Sequence, residues 1–252
     1  MSLAVQHVSK AFGGFRALDD VSLDVGAGTL FGVIGPNGAG KSTLFAVISG
    51  FQSSDAGTVM LDGRDITALA ADKRARAGMV RTFQVPREFR HLTVRENLMV
   101  AAPGQTGENL ISLFARPSQI RIEEQHNAER VDETLKFLRL VEVADVPSGN
   151  LSGGQKKLLE LGRALMVSPK LILLDEPFAG VNPVLIEAIA ERIRELNARG
   201  IGFLIIEHDL AALTRLVPQL AVMDRGRIIA RGAPAQVLQD ATVREAYLGG
   251  LS

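Results

Sequence analysis

Three patterns of hydrophobic and polar positions follow one another along the 252 residues of the chain. In the first third, short apolar stretches separated by Gly, Asp and other polar residues predict β-strands. The predicted strands are Leu3–Val8, Val21–Val25, Leu30–Ile34, Thr58–Leu61 and Met79–Phe83. One helix is predicted among them, from Lys41 to about Ser49, and the pair Asp62-Gly63 predicts a turn after the fourth strand.

Helical periodicity replaces this pattern from Thr93 to Val167. Apolar residues recur there at intervals of three and four, which places them on one face of a helix. The two sets are Val131, Leu135 and Leu138, and then Leu158, Leu161 and Leu165. The stretch Ala102–Ser118 contains two prolines and has weak periodicity, so it predicts a loop-rich excursion.

Strands and helices alternate from Leu171 to the end of the sequence. The runs Leu171–Leu174 and Phe203–Ile206 are unbroken apolar stretches, which are typical of strands buried on both faces of a parallel sheet. Each run precedes a predicted helix, Pro183–Ala198 and Leu210–Leu216 respectively. This βαβ rhythm predicts a doubly wound α/β fold.

Composition and charge exclude several classes of protein. Lys plus Arg and Asp plus Glu both total 28, so the zero net charge offers no bulk attraction to nucleic acid or lipid. The sequence has no cysteine, which excludes disulfides and thiolate sites, and its four scattered histidines argue against zinc. No stretch is long and apolar enough to predict a membrane span, and no secretory signal is recognisable, so we expect a cytoplasmic protein.

One segment matches the whole pattern of a phosphate-binding loop, Gly35-Pro36-Asn37-Gly38-Ala39-Gly40-Lys41-Ser42. It lies between a predicted strand and a predicted helix, so its backbone N–H groups and the helix dipole can converge on an anion. Lys41 can reach the β- and γ-phosphates, and Ser42, with Thr43 beside it, can offer a hydroxyl to Mg²⁺. The alternative is a glycine-rich surface turn, and the motif alone does not separate kinases, GTPases and ATPases.

Two further strand ends carry candidate chemistry. Asp175 and Glu176 follow the buried run that begins at Leu171, and in phosphate-loop enzymes an acid at this position holds Mg²⁺. Glu176 points to a different side, which suits a general base or a group that orients water. His208 ends the next strand and could bind a γ-phosphate. Taken singly, each is also compatible with an ordinary polar strand end, as is Gln84.

A second glycine-rich helix start decides between the classes. It is the pentapeptide Leu151-Ser152-Gly153-Gly154-Gln155, ahead of an amphipathic helix over Lys156–Val167. Ser152 is a good N-cap, and the N–H groups beyond it form a second anion site. Two such sites, each incomplete, suit a chain that dimerises head to tail around nucleotide.

With these motifs in this order, the chain resembles the ATP-binding cassette (ABC) family, the nucleotide-binding subunits of membrane transporters. In the resemblance, residues 35–43 correspond to Walker A, residues 171–176 to Walker B, residues 151–155 to the signature, Gln84 to the Q-loop and His208 to the switch histidine. Phe12 corresponds to an aromatic that stacks on adenine, with nearby Phe15 as a rival. The D-loop position has Asn182 where many members have Asp.

The resemblance implies a fold, a domain division and a set of roles. The fold is an α/β P-loop NTPase with a RecA-like parallel-sheet core, an N-terminal antiparallel β subdomain and an inserted helical subdomain. The single ABC ATPase domain spans 1–252, with 1–92 and 168–252 as the core and 93–167 as the helical signature subdomain. The implied cofactors are ATP and Mg²⁺. The implied catalytic residues are Glu176, His208 and Gln84, and the implied metal ligands are Ser42, Gln84 and Asp175.

A closer resemblance is to the ATPases of branched-chain amino acid importers and their amide or urea relatives. It is carried by residues 12–14, 80–84, 179–183, 207–209 and 246–249 and by the excursion after Leu98. It implies a second ATPase subunit, identical or paralogous, permease subunits, a periplasmic or extracellular substrate-binding protein and no nucleic acid. The chain would then lie on the inner face of the cell membrane. A lipopolysaccharide-type exporter and a non-transport ABC ATPase are the alternatives.

The segment Asp72–Glu96 is locally basic, with seven Lys or Arg against three acids. We interpret most of these cations as a solvated face, and a surface that docks the membrane subunits is the alternative. The cations are Lys73, Arg74, Arg76, Arg81, Arg87, Arg90 and Arg95.

Overall fold

The computed structural model describes residues 1–82, 88–105, 117–208 and 210–248. The strands are β1 (Leu3–Phe12), β2 (Phe15–Val25), β3 (Leu30–Ile34), β4 (Ala56–Leu61), β5 (Arg64–Asp65), β6 (Met79–Arg81), β7 (Leu171–Asp175), β8 (Gly202–Ile206), β9 (Gln219–Asp224) and β10 (Arg227–Gly232). The helices are α1 (Lys41–Ile48), α2 (Ala71–Arg76), α3 (Val94–Ala101), α4 (Pro117–Phe137), α5 (Gly153–Met166), α6 (Pro183–Ala198), α7 (Leu210–Leu216), α8 (Pro234–Val237) and α9 (Ala241–Leu248).

The first sheet is antiparallel, with strand order β2-β1-β4-β5. Strands β1 and β2 continue well beyond the apolar runs that predicted them and form one long hairpin, in which Phe12 pairs with Phe15. The turn predicted at Asp62-Gly63 is confirmed between β4 and β5. Both of its residues have positive φ, 47° and 76°, as a tight two-residue hairpin turn requires.

The second sheet has strand order β10-β9-β3-β8-β7-β6, and its neighbours from β9 to β6 run parallel. Every residue of β3, β7 and β8 is buried, which confirms that these unbroken apolar runs form central parallel strands. Because parallel strands end at one edge of a sheet, this order brings the segments after Ile34, Leu174 and Ile206 together. Strands β9 and β10 did not follow from the sequence patterns.

The chain forms two compact units. The first contains both sheets and comprises residues 1–84, 170–179 and 183–252, and the second comprises residues 85–169 and 180–182. In the first unit, one hydrophobic core joins α1, through residues such as the fully buried Phe45, to residues of both sheets. This core holds the start of α1 in a defined place relative to β3.

The second unit is built from α3, α4 and α5. Five of the six apolar residues that predicted its helices are buried, and Leu165 is half-buried. Gly162 of α5 lies against α3 and α4, where an added Cβ would come within 2.9 Å of methyl groups of Leu98 and Leu138. Within the described residues, we find no helix that combines the length and the apolar character needed to cross a bilayer.

The interpretation of residues 72–96 as a mainly solvated or docking face is wrong for two of its cations. Arg74 is 2% exposed and donates hydrogen bonds to carbonyl oxygens at the end of α1 and of Thr67 and Leu69. Arg81 has only 11% of its side chain exposed and lies next to Asp175. The sequence pattern counted charges, but burial depends on which strand or helix end each arginine can reach. Arg87 lies outside the described residues.

Candidate functional site

The phosphate-loop segment lines a cavity of about 760 Å³ in the first unit. The loop leaves β3 at Ile34 and enters α1 at Lys41. Residues from four separated parts of the sequence share the cavity, which brings the predicted loop together with the first hairpin, Glu176 and His208. The lining residues are Phe15, Ala17, Asn37, Gly38, Ala39, Gly40, Lys41, Ser42, Thr43, Glu176 and His208.

Two glycines allow the loop to adopt this course. Gly40 has φ of +100°, and a Cβ added there would lie 2.4 Å from the Ala17 carbonyl oxygen. Gly35 has φ of +152°, and a Cβ there would lie 2.1 Å from the Met223 carbonyl oxygen. Gly40 is also the N-cap of α1, and among the described residues no side chain caps this helix start. The positive end of the α1 dipole therefore faces the cavity without a capping side chain.

Lys41 carries a buried ammonium group at the first position of α1. Its Nζ donates to the carbonyl oxygens of Gly35 at 2.7 Å and Pro36 at 2.9 Å. Burial lowers the pKa of Lys41, and the charges of Glu176 and Asp175 act in the opposite direction. The loop thus encloses a cation that the nearby carboxylates help to keep protonated.

Asp175 ends β7 with a buried carboxylate. Its Oδ2 accepts a hydrogen bond from Arg81 Nη2 at 2.8 Å, and both side chains are almost fully buried. Arg81 also donates to Ser49 Oγ at 3.2 Å and lies over the rings of Phe45 and Phe51. The sequence analysis missed Arg81 as a site residue. Arg81 lies within the predicted strand Met79–Phe83, and it reaches Asp175 because the observed strand β6 ends at Arg81 and pairs with β7.

Glu176 and His208 form a polar pair just after the carboxyl ends of strands β7 and β8. Glu176 Oε1 and His208 Nε2 are 2.6 Å apart. Glu176 is 9% exposed and has φ of +51°, a left-handed conformation that is uncommon for a residue with a side chain. The backbone turn after β7 therefore directs this carboxylate toward the histidine.

The aromatic residues of the first hairpin are placed differently from each other. Phe15 lines the cavity and is 65% exposed. Phe12 is 47% exposed, and the Lys10 ammonium lies 5.5 Å from the centre of its ring. Both rings lie at the turn of the hairpin, so the choice between them for a base-stacking role stays a prediction.

A second cavity, of about 430 Å³, lies on the other side of the phosphate loop. Residues 36–39 line it together with Thr242, Glu245 and Ala246 of α9. The same helix carries Tyr247, whose hydroxyl oxygen accepts a hydrogen bond from the Gly35 N–H. Burial raises the pKa of Tyr247 to about 12.

Ser152 begins α5 in the second unit. Its Oγ accepts the Gln155 N–H at 3.3 Å, and its own N–H donates to Gln155 Oε1 at 2.9 Å. This capping box confirms the N-cap interpretation of the pentapeptide. Leu151 and Gly154 are buried, whereas Gly153 is exposed. Gln84 lies outside the described residues.

Comparison with known proteins identifies the family. Residues 18–179 match the family model described as ABC transporter. The chain belongs to the ABC transporter family. It is 44% identical over 253 residues to a probable branched-chain amino acid transport ATP-binding protein, LivG, from Methanocaldococcus jannaschii, covering 98% of this chain and 97% of LivG. It is also 35% identical over 250 residues to the Escherichia coli lipopolysaccharide export ATP-binding protein LptB, covering 98% and 97%.

Solved structures agree with this assignment of the ABC fold. A nucleotide-free ATP-binding cassette from an ABC transporter has a TM-score of 0.86 and 44% sequence identity, covering 98% of this chain and 99% of that one. Residues 227–250 match a second model, described as branched-chain amino acid ATP-binding cassette transporter. The predicted α/β ABC ATPase fold is thereby confirmed, and so is the prediction of ATP binding and hydrolysis by a transporter subunit. ABC ATPases work as dimers with membrane permease subunits.

Proposed function

We propose that this ABC subunit drives the import of branched-chain or other hydrophobic amino acids, or of related amides or urea. The observation that carries the proposal is the match of residues 227–250 to the branched-chain amino acid transporter model. This segment begins at β10 and includes α9, which lies against the phosphate loop. The 44% identity to LivG over nearly the whole chain supports the same conclusion.

Lipopolysaccharide-type export is the second candidate, and one observation favours it. LptB is 35% identical over 250 residues and is covered almost completely. We rank it second because this identity is lower than that to LivG.

In the proposed reaction, the phosphate loop holds the β- and γ-phosphates of ATP. The uncapped start of α1 offers its N–H groups, and Lys41 exchanges its carbonyl partners, Gly35 and Pro36, for phosphate oxygens. The adenine base stacks on an aromatic ring of the first hairpin, for which Phe12 is our first candidate. The phosphates then lie in the cavity that Glu176 and His208 line.

The oxygen ligands at this site fit Mg²⁺. Ser42 is among the residues that line the cavity, and Asp175 offers a carboxylate whose charge acts on neighbouring Lys41. Hard oxygen donors of this kind suit Mg²⁺, and Gln84 is proposed as a third. Arg81 holds one oxygen of Asp175, so the carboxylate keeps a fixed direction. When bound, Mg²⁺ would neutralise charge on the phosphates.

Glu176 and His208 carry out the hydrolytic step in this proposal. The Glu176 carboxylate orients a water molecule and accepts its proton as the water oxygen attacks the γ-phosphorus. The bond from that phosphorus to the bridging oxygen breaks, and the bridging oxygen leaves on ADP. His208, whose Nε2 lies 2.6 Å from Glu176 Oε1, shares its N–H between this carboxylate and an oxygen of the γ-phosphate.

Two chains complete each other's sites. We propose that the signature of one chain, through Ser152 and Gly153, contacts the γ-phosphate held by the phosphate loop of its partner, which is identical or a paralogue. Closure of this dimer at the inner face of the cell membrane draws together two permeases that receive cargo from a substrate-binding protein. The helical subdomain over 93–167 presents the signature in this arrangement.

A transport assay tests the proposed cargo. The tagged chain is purified with its native permeases, reconstituted in liposomes with ATP outside, and assayed with radiolabelled leucine, urea and an aliphatic amide. Because the ATPase then faces outward, import corresponds to movement out of the lumen, and we expect efflux of preloaded leucine that depends on ATP and disappears in a Glu176→Gln complex. ATP-dependent extraction of lipopolysaccharide, with no movement of any of the three solutes, would contradict import and support the second candidate.

A further inference from the structure

Glu207 is a buried carboxylate at the end of β8, directly before His208. Glu207 is only 2% exposed. Oε1 accepts the backbone N–H of Phe178 at 2.6 Å, and Oε2 accepts the backbone N–H of His208 at 2.9 Å. One carboxylate therefore binds the main chain of two segments that are far apart in sequence.

These two segments carry the polar pair of the candidate active site. Residues 176–178 leave β7 and residues 206–208 leave β8, and the Glu176 N–H donates to the Ile206 carbonyl oxygen at 2.9 Å. The Glu207 bond to Phe178 fixes the same segment two residues later. The left-handed turn that carries the Glu176 carboxylate is thus held at two backbone N–H groups, and the carboxylate lies 2.6 Å from His208 Nε2.

The chemistry of Glu207 suits this task better than that of any neutral side chain. A carboxylate presents two acceptor oxygens, and bonds from N–H groups to a charged acceptor are about twice as strong as neutral ones. Burial of a charge is costly unless the charge is hydrogen-bonded, so the arrangement is stable only while both amides are in place. Glutamine has the same shape but one acceptor, and its NH₂ group would face one of the two N–H donors.

We propose that Glu207 is the positioning residue for the Glu176–His208 pair, acting through the main chain at Phe178 and His208. The proposal rests on the roles proposed above for Glu176 and His208. Glu207 itself does not accept the proton of the attacking water. Its role is to keep the Glu176 and His208 side chains at a fixed separation. This matters for the rate, since displacement of a catalytic group by about 1 Å can cost about 100-fold.

The test compares ATP hydrolysis by the full-length chain with Glu207→Gln and Glu207→Asp. We expect kcat to fall roughly 10- to 100-fold in both variants. The affinity for a fluorescent ATP analogue should stay within about twofold, since the phosphate loop is untouched. The aspartate variant keeps the charge on a side chain shorter by one carbon, so it should lose one of the two bonds. Glu187→Gln, which replaces an exposed carboxylate of α6, is the matched control.

A double-mutant cycle separates positioning from general stabilisation. In a His208→Ala background, the pair no longer exists, so Glu207→Gln should lower kcat by less than about threefold more. Wild-type kcat in either Glu207 variant, or the full multiplicative loss in the His208→Ala background, would overturn the proposal. If Glu176→Gln and His208→Ala alone keep wild-type turnover, the roles proposed for that pair fail instead, and this outcome is read from the single variants.

Discussion

The two glycine-rich helix starts of this chain differ in how their backbone N–H groups are satisfied. At α1, the N-cap is Gly40 in a left-handed conformation, and no described side chain caps the helix. At α5, Ser152 and Gln155 form a complete capping box. The sequence motifs are similar in their glycines, but the first start faces a cavity lined by Lys41 and Glu176, whereas the second is capped by its own side chains.

This difference indicates a division of labour between the two motifs. An uncapped start favours an anion, so α1 gains its missing hydrogen bonds from phosphate. At the α5 start the capping box engages the Gln155 and Ser152 N–H groups, not those of Gly153 and Gly154, and it holds Ser152 in one orientation before any nucleotide arrives. Ser152 Oγ uses a lone pair as the cap, and its hydroxyl hydrogen can still be donated to a phosphate oxygen. We therefore expect the phosphate loop to supply affinity and the signature to supply recognition across a dimer.

Removal of the cation at the open start should have the largest effect. In Lys41→Met, the phosphates lose a charge-assisted partner, and we expect the affinity for ATP to fall about 100-fold. Titration with a fluorescent ATP analogue measures this loss. Lys73→Met, which removes an exposed lysine of α2, serves as the control. Equal affinity in the two variants would show that the open start does not bind the phosphates.

A side chain at the cap of α1 should destabilise the loop. Gly40→Ala places a Cβ 2.4 Å from the Ala17 carbonyl oxygen at a φ of +100°, and we expect roughly 3 kcal/mol of destabilisation. Gly38→Ala is the matched control, because φ is +80° but no atom lies within 4 Å of the added Cβ, so only the backbone cost of about 1 kcal/mol applies. Urea denaturation measures both. The prediction fails if the two variants unfold at the same urea concentration.

Loss of the Ser152 cap of α5 should lower the unfolding free energy by less than the Gly40→Ala change at α1. Ser152→Ala removes the side-chain acceptor and should lower the unfolding free energy by about 1 kcal/mol. Thr93→Ala is matched to it, since Thr93 forms the same capping box with Glu96 at the start of α3 in the same unit. We expect similar destabilisation in both, but loss of ATP-induced dimerisation only in Ser152→Ala, as measured by light scattering. Dimerisation lost equally in both variants would assign Ser152 a structural role alone.

The smallest expected effect is on the pH dependence of the unfolding free energy, through Tyr247 of α9. The pKa of Tyr247 is raised to about 12 by burial, so the neutral phenol is favoured in the folded chain. Its contribution to stability is complete below pH 10, the ordinary pKa of tyrosine, and is lost as the pH rises from about 10 to about 12. The difference in unfolding free energy between wild type and Tyr247→Phe should change over this range. A constant difference from pH 9 to 12 would contradict the assignment.

Much of the fold was predictable because apolar runs determine central strands. Strand β3 and helices α6 and α7 have the bounds that the pattern predicted, and β7 is longer by one residue. The phosphate loop and the two strand ends followed from this, since parallel strands end at one edge. The long hairpin of β1 and β2 was not predicted in full, because polar residues continue those strands through pairing alone.

The electrostatic partners of the site could not be predicted in the same way. Arg81 was counted as one of seven surface cations, yet it lies beside Asp175 because β6 pairs with β7. Glu207 was part of a family-like tripeptide, but its bond to the Phe178 N–H depends on the turn after β7. The hydrogen bond from Gly35 to Tyr247 joins residues more than two hundred positions apart. Such contacts follow from the three-dimensional fold, which local sequence patterns do not contain.

The most direct test of the division of labour is a structure of the Glu176→Gln chain with MgATP, in which hydrolysis is blocked. We predict a dimer in which each γ-phosphate contacts the α1 start and Lys41 of one protomer and the Ser152 hydroxyl of its partner, with the capping box to Gln155 intact. A nucleotide-saturated structure in which Ser152 lies far from every phosphorus atom would contradict the account.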